Sequence, residues 1–359
     1  MASFYPLTVV EVRPETRDAI VVTLRPAPDD VERFRFKQGQ YLTLRAELDG
    51  EEVRRSYSIC SAVQDGALRV GIKRIKDGWF SSWANESLRA GTKIDAMPPA
   101  GNFFVPLDAA NRKHYVGFAG GSGITPLLGI LKTTLQAEPK SRFTLFYGNE
   151  ASSTILFREE LEDLKNTYME RFNLVHILNR EHQDVELFNG TLTREKCNAL
   201  FRHWIDLSDV DTAFICGPQP MMLAVADALQ ENGFDRARIK FELFSSPAGS
   251  ARPQKARDAV GADMTQDVCE ATVIIDGRSR TFRMAKKAES VLDSGLREGL
   301  ELPYACKGGV CSTCRAMLLE GEVDMDANFA LEDYEIARGY ILTCQSFPAT
   351  DRIVVDYDQ

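Results

Sequence analysis

The spacing of four cysteines constrains this chain more than any other feature. Cys306, Cys311 and Cys314 fall within nine residues, with four residues between the first two and two between the next pair, and Cys344 follows after a further 29. This order is that of the plant-type ligands of a [2Fe-2S] cluster. Four thiolates must converge on two irons, so a loop that supplies three of them has to curl tightly. Gly308 and Gly309 are read as the residues that permit the curl, because glycine reaches φ > 0 and lets its amide approach sulfur. A structural zinc site is the alternative, but such sites usually join two C-x2-C knuckles, and here Cys311 and Cys314 form the one such pair. Cys60, Cys197, Cys216 and Cys269 are scattered, which fits a reducing compartment better than a disulfide framework.

A cluster of this kind moves one electron at a time, so the rest of the chain is read for what delivers and removes electrons. At 359 residues it is long for one domain and points to two or three, with an ordinary 44% hydrophobic and 26% charged composition. No apolar run approaches the roughly 18 residues of a membrane span. The first residues, MASFYPLTVVEVRPETRD, meet acid and base too soon for a signal peptide, so no membrane is expected and the expected location is cytoplasmic. A net charge of −9 and a pI near 5.2 argue against a nucleic-acid partner.

Residues 1–108 read as short alternating strands, among them Leu7–Val12, Ile20–Leu24, Tyr41–Leu44 and Leu68–Lys73, separated by turns at Lys37–Gln40, Leu48–Glu51 and Gln64–Gly66. These intervals predict an antiparallel β-barrel. Alternation along Arg54–Ile59 puts Arg55, Tyr57 and Ile59 on one face and Ser56 and Ser58 on the other, unless the strand end twists. Lys73 is followed by Gly78-Trp79-Phe80-Ser81-Ser82-Trp83, a glycine turn into a helix whose first-turn amides and hydroxyls suit a pyrophosphate. Pro98-Pro99-Ala100-Gly101-Asn102-Phe103 is a rigid turn closing the barrel.

Residues 109–245 alternate strands with helical stretches and predict a doubly wound parallel sheet. Its first strand, His114–Ala119, feeds Gly120-Gly121-Ser122-Gly123-Ile124-Thr125-Pro126, with Thr125 available as a helix cap and Pro126 suited to the first helical position. The dinucleotide fingerprint G-x-G-x-x-G is not matched, but three glycines in four residues before a helix still favour a phosphate site. Further on, the strand Thr212–Ile215 runs into Cys216-Gly217-Pro218-Gln219-Pro220-Met221, and the next helix stops at Asn232-Gly233. Cys216 reads equally as a small buried hydrophobe or as a site residue. Glu150 after the Phe143–Tyr147 strand would repel a ribose 2'-phosphate, whereas Ser153, Arg158 or Arg180 could accept one.

Residues 246–266 read as a linker and residues 267–359 as a small domain, with a hairpin turned at Asp276-Gly277 and a helix over Ser290–Glu298 before the cysteine loop. Glu320, Glu322, Asp324, Asp326, Glu332, Asp333 and Glu335 lie in one stretch without lysine or arginine. Such a run is a solvated face or an acidic surface that steers a basic partner.

The R-x-Y-S, G-x-x-S, P-x-G-x-F and C-G-P-x-x-M segments resemble the ferredoxin-NADP reductase family, here with a C-terminal plant-type ferredoxin domain. The resemblance implies a multidomain α+β and α/β architecture: a flavin-binding β-barrel, a nicotinamide domain and a β-grasp ferredoxin domain. By position, Arg55 would bind the flavin phosphates, Tyr57 would stack on the isoalloxazine and Ser58 would hydrogen-bond near flavin N5. Lys73, Gly78, Phe80 and Ser81 belong to the FAD pyrophosphate segment. Gly120, Gly121, Ser122, Gly123, Thr125 and Pro126 would cradle the nicotinamide nucleotide. Cys216, Gly217, Pro218 and Met221 would pose its ring, and Glu242 and Phe244 are candidates for the flavin edge or for an ordinary edge strand. Electrons would run from NADPH, or NADH, through FAD to the cluster, because a flavin can take two electrons together and release them singly. The Arg54–Cys60 segment, the Tyr304–Cys311 loop and the tail Val354–Gln359 resemble the reductase components of phenylacetyl-CoA epoxidase complexes, which implies a di-iron oxygenase as partner and acceptor. The reductase of another oxygenase or hydroxylase, and a non-catalytic redox carrier or sensor, are the alternatives.

Overall fold

The computed structural model describes residues 3–244 and 268–359, so the segment read as a linker lies outside the described residues. Six strands, β1 (Tyr5–Thr16), β2 (Ala19–Arg25), β3 (Tyr41–Leu48), β4 (Glu51–Ser58), β5 (Leu68–Lys73) and β6 (Lys93–Ala96), form an antiparallel sheet in the order β4-β3-β6-β1-β2-β5. Its edges meet where Ile59 bridges Val70 and the Cys60 amide donates to the Arg69 carbonyl at 2.9 Å, closing a barrel. Strict alternation along β5 sends Leu68, Val70 and Ile72 into the barrel core beside Leu7, Leu42 and Leu44. Helix α1 (Trp79–Ser87) caps it with Phe80 and Ala84.

The second sheet is wholly parallel, in the order β11-β10-β7-β8-β9, from β7 (His114–Gly120), β8 (Arg142–Asn149), β9 (Phe172–Leu178), β10 (Thr212–Cys216) and β11 (Ile239–Glu242). Helices α2 (Ile124–Ala137), α3 (Arg158–Thr167), α4 (Arg194–His203) and α5 (Gln219–Glu231) cover it. All seven residues of β7 are buried, as a parallel strand covered on both faces requires. The Asn232-Gly233 stop is present, with Asn232 at the C-cap and Gly233 at φ 79.

The third unit is a mixed sheet in the order β13-β12-β18-β14-β16, built from β12 (Val268–Ile275), β13 (Arg278–Ala285), β14 (Arg315–Glu320), β16 (Tyr340–Leu342) and β18 (Arg352–Asp356), with β15 (Val323–Met325) and β17 (Ser346–Pro348) paired beside it. The parallel pairing of β12 with β18 and the helix α6 (Val291–Arg297) packed across the sheet make it a β-grasp unit, and a short helix α7 (Asp333–Ala337) follows. Ser290 caps α6 by accepting from the Asp293 amide. Among the described residues no helix is long and apolar enough to cross a membrane.

The barrel and the parallel sheet share one apolar core, in which Ala19, Val21, Cys60 and Phe103 pack with Leu127, Leu128 and Leu131 of α2. A polar clamp sits beside it. Lys132 donates to Asp65 and Glu160 at 2.7 Å each, and Arg69 grips the same Glu160 at 3.0 and 3.3 Å. Burial works to raise the Glu160 pKa, and the bonds from Arg69 and Lys132 overcome it, leaving the carboxyl below its ordinary range. Removing one partner strands a charge at low dielectric. Lys132→Met is therefore expected to destabilise by about 3 kcal/mol and to lower Tm by roughly 6–10 °C in a thermal melt at pH 7. Because the folded pKa of Glu160 is depressed, its contribution is complete above the unfolded value of about 4.3 and is lost as pH falls through the folded one. Melts of Glu160→Gln and the unaltered protein should differ fully at pH 7 and converge in strong acid.

Candidate functional site

The carboxyl ends of the barrel strands, the parallel strands and the cysteine loop meet at one cavity of about 390 Å³. Its wall includes Arg55, Ser56, Tyr57 and Ser58 from β4, Lys73, Arg74 and Ile75 after β5, Ser122 and Thr125, Glu242, Leu243 and Phe244, and Cys306, Val310 and Cys311. Four consecutive residues of β4 line the cavity, while its register with β3 runs unbroken to Tyr41 and Ser58. The Tyr57 ring lies 5.7 Å from that of Phe80, which is itself 1% exposed, so Phe80 backs Tyr57 from within the barrel. Ser81 is buried too, its hydroxyl accepting from the Ile75 amide and donating to the Gly78 carbonyl. Gly78 and Ser81 thus shape the helix start, with the cavity wall supplied by Lys73, Arg74 and Ile75.

The glycine turn differs from the sequence expectation. Helix α2 begins at Ile124 with Gly123 as N-cap; Thr125 does not cap it but donates to the Ser122 carbonyl at 3.0 Å, and Pro126 stands at the third helical position. A Cβ at Gly123 would lie 2.1 Å from the Cys216 carbonyl oxygen, so this glycine is required by the close approach of the β7 and β10 ends. Gly120 likewise abuts Pro218 and Met221, and the Tyr147 hydroxyl donates to the Gly121 carbonyl at 3.0 Å. The glycine turn is therefore braced by the Cys216–Met221 element.

Cys216 is fully buried, and burial pushes its thiol well above the ordinary value, with Glu242 adding to the effect. In this setting it packs as a small neutral group at the end of β10. Glu242, its register partner on β11, faces the cavity and accepts from the Ser58 hydroxyl at 3.1 Å. Burial raises the Glu242 carboxyl to about 8 against the lowering effect of Ser58, so a proton resides there near neutrality.

In the cysteine loop Gly309 takes φ 74, but Gly308 does not enter the left-handed region; Lys307 at φ 51 and Ser312 at φ 49 share the curl instead. The Gly308 amide donates to the Cys306 sulfur at 3.3 Å. The Cys306 thiol reaches those of Cys311 and Cys344, and Cys314 reaches Cys344. Among the described residues no three metal-ligating side chains gather around a single ion position. The four sulfurs form a linked row instead, Cys311 to Cys306 to Cys344 to Cys314, which suits a polynuclear core better than a single ion. The residues present fit the cluster, and the aromatic, cationic and hydroxyl groups of the cavity wall fit a flavin.

Sequence reasoning missed Tyr41, Ser56, Arg74, Ile75, Leu243 and Val310 in the cavity wall. None stands out as a site residue in any motif, and only the tertiary meeting of three units brings them together. The acidic run is partly spent within the chain. Glu335 is 2% exposed and accepts from Arg315 at 2.6 Å, and Glu332 pairs with Lys240 at 3.2 Å. Glu322, Asp324 and Asp326 are exposed.

Comparison with known proteins agrees with this layout. Residues 6–105 match the oxidoreductase FAD-binding domain, residues 118–227 the oxidoreductase NAD-binding domain and residues 273–349 the 2Fe-2S iron-sulfur cluster binding domain. The chain is 42% identical over 358 residues to one of the subunits of 1,2-phenylacetyl-CoA epoxidase from Escherichia coli (strain K12), covering 100% of this chain and 99% of that one. It is 33% identical over 354 residues to the ferredoxin reductase component of 3-ketosteroid-9-alpha-monooxygenase from Rhodococcus rhodochrous, covering 98% and 96%. Phthalate dioxygenase reductase shares the fold at a TM-score of 0.60 and 22% identity, covering 99% of this chain and 98% of that one. The curl of the cysteine loop can be tested directly. A Cβ at Gly309 would meet the Ala327 carbonyl oxygen at 2.6 Å from a left-handed backbone, so Gly309→Ala should lower iron content and visible cluster absorption by more than half, with flavin content retained.

Proposed function

The chain belongs to the family of NAD(P)H-dependent, flavin- and iron-sulfur-containing oxygenase reductases, and on that premise we propose that its acceptor is the di-iron oxygenase component of a complex that epoxidises the ring of phenylacetyl-CoA. The observation that carries the electron path is the shared cavity: Arg55, Tyr57 and Ser58 form one wall, Ser122 and Thr125 the nucleotide side, and Cys306 and Cys311 the third. FAD, when bound, supplies the conversion between the two-electron donor and the one-electron cluster. In this reading Arg55 and Lys73 meet the flavin phosphates and the Tyr57 ring supports the isoalloxazine, with the backbone of the Gly78–Ser81 turn beside the pyrophosphate. Glu242 and Ser58 hold a proton at the cavity wall, at the Glu242 carboxyl and the Ser58 hydroxyl. Gly120 to Gly123, Thr125 and Pro126 take the pyrophosphate of the nicotinamide nucleotide, and Cys216, Gly217, Pro218 and Met221 pose its ring. Phe244, 36% exposed at the cavity, covers the flavin edge. Cys306, Cys311, Cys314 and Cys344 hold the cluster.

In the same reading, residues 1–108, 109–245 and 267–359 act as flavin, nicotinamide and ferredoxin domains joined by a linker at 246–266. The exposed acids Glu322, Asp324 and Asp326 steer the ferredoxin domain to a basic face of the oxygenase, and the complex works in the cytoplasm.

Anaerobic mixing of the loaded protein with NADPH or NADH tests the path: flavin bleaching is expected first and the cluster signal second, and loss of either overturns it. Adding the oxygenase component and phenylacetyl-CoA is expected to yield product only with both nucleotide and reductase present. For nucleotide choice, Glu150 stands directly after β8 and its carboxylate pairs with Arg180 at 3.3 Å, whereas Arg158 is taken by Glu162 at 3.0 Å. Glu150→Gln frees Arg180 for a 2'-phosphate and is expected to raise the ratio of kcat/KM for NADPH over NADH about fivefold, or about 1 kcal/mol, in steady-state assays.

A further inference from the structure

Tyr41 stands at the start of β3, where the flavin cavity meets the cluster loop, and no motif draws attention to it. It is 5% exposed. Its backbone is bonded both ways to Ala100, at 2.9 and 3.0 Å. Its ring lies so close to Gly101 that a Cβ there would come within 3.0 Å of it. The Pro98–Phe103 turn therefore clamps the tyrosine in place from the barrel side.

The far end of the side chain belongs to the other unit. The Tyr41 hydroxyl donates to the carbonyl of Cys311 and lies 3.1 Å from the Thr313 hydroxyl. Its ring shares an apolar contact with Ala305 and Cys311. It also forms part of the wall between the large cavity and a smaller cleft lined by Gly101, Phe103, Ser312 and Phe329. Arg54 makes a further contact between barrel and ferredoxin unit: it reaches the Leu302 carbonyl at 3.4 Å and lies over the Tyr304 ring at 4.1 Å. Tyr41 bonds to the peptide of a cluster ligand.

We propose that Tyr41 is a positioning residue for electron transfer from flavin to cluster, fixing the Cys311–Thr313 arc of the ligand loop against the flavin cavity. Electron transfer falls steeply with separation, so a loop free to shift by a fraction of an ångström loses rate. FAD, when bound, would give up its electrons one at a time, each reducing one ferric ion of the bound cluster to ferrous; the second would follow once an external acceptor has discharged the cluster, and the flavin's protons would be released. This assignment rests on the reading that flavin hands electrons to the cluster within this chain.

The test uses the loaded full-length protein and its Tyr41→Phe variant, which keeps the ring and loses the hydroxyl. In anaerobic stopped-flow with NADPH, or with NADH where that nucleotide reduces the flavin faster, the ratio of cluster reduction rate to flavin reduction rate is expected to fall about tenfold. Independently of turnover, amide hydrogen exchange across residues 311–314 is expected to speed up about fivefold, as loss of one buried hydrogen bond implies. Thr313→Val, which removes the neighbouring hydroxyl and keeps the tyrosine, should move both readouts in the same direction by less; should the phenylalanine variant fail to take up cofactors, it carries the test. An unchanged rate ratio together with unchanged exchange overturns the assignment. Flavin bleaching with no cluster signal in the unaltered protein overturns the electron path itself, a separate result.

Discussion

The structure depends on proximity between carriers of unlike capacity. A nicotinamide gives two electrons together and a cluster takes one, so the group that converts between them must touch the sites of both. The chain meets this by placing the ends of three sheets around a single cavity, with Tyr57 and Ser58 from the barrel, Ser122 and Thr125 from the parallel sheet and Cys306 and Cys311 from the β-grasp unit in one wall. Each unit has its own apolar core, and the barrel and parallel sheet also share one through α2. The clamp of Asp65, Lys132, Glu160 and Arg69 adds direction to that shared core, since four charges at fixed geometry admit one relative placement of the two units.

The contact of the ferredoxin unit with the rest is of another kind. It combines polar links, Arg54 to Leu302, Lys240 to Glu332 and Tyr41 to Cys311, with apolar packing: Tyr41, Ala305 and Cys311 form one patch, and Val310 enters the apolar core of the parallel-sheet unit. The one ion pair among these links, Lys240 with Glu332, is partly exposed and contributes little by itself. The buried members of the contact, Tyr41 and Val310, touch or belong to the ligand loop, so the contact holds the loop by packing as well as by polar links. Part of the acidic run takes part in it, through Glu332, so the same charge pattern serves docking within the chain as well as any outward steering.

Much of this was legible in the sequence because it follows from local periodicity and spacing. The barrel strands, the parallel sheet with its helices, the Asp276-Gly277 turn, the helix beginning near Ser290 and the four cysteines all carry signals confined to short stretches. The errors fall where a distant segment decides a local conformation. Thr125 reads as a cap, yet the helix starts at Ile124 because Gly123 must pack on the Cys216 carbonyl. Gly308 reads as a left-handed residue, yet Lys307 and Ser312 adopt that conformation, held by the ligand geometry that their neighbours impose. Tyr41 carries no local signal, because its significance comes from a residue 270 positions away.

To the chemistry the protein itself contributes shape and protonation state. Cys216 lies buried with its thiol protonated, so it offers shape and no charge at the end of β10. Glu242, one strand over, is held in the protonated form near neutrality by burial, and its bond from Ser58 ties it to the barrel. A charged carboxylate at that point would leave a net charge in the cavity wall, whereas the neutral acid leaves none and can donate a hydrogen bond. Desolvation thus sets the protonation of the cavity wall at Glu242 and of the thiol behind it at Cys216, and both stay neutral.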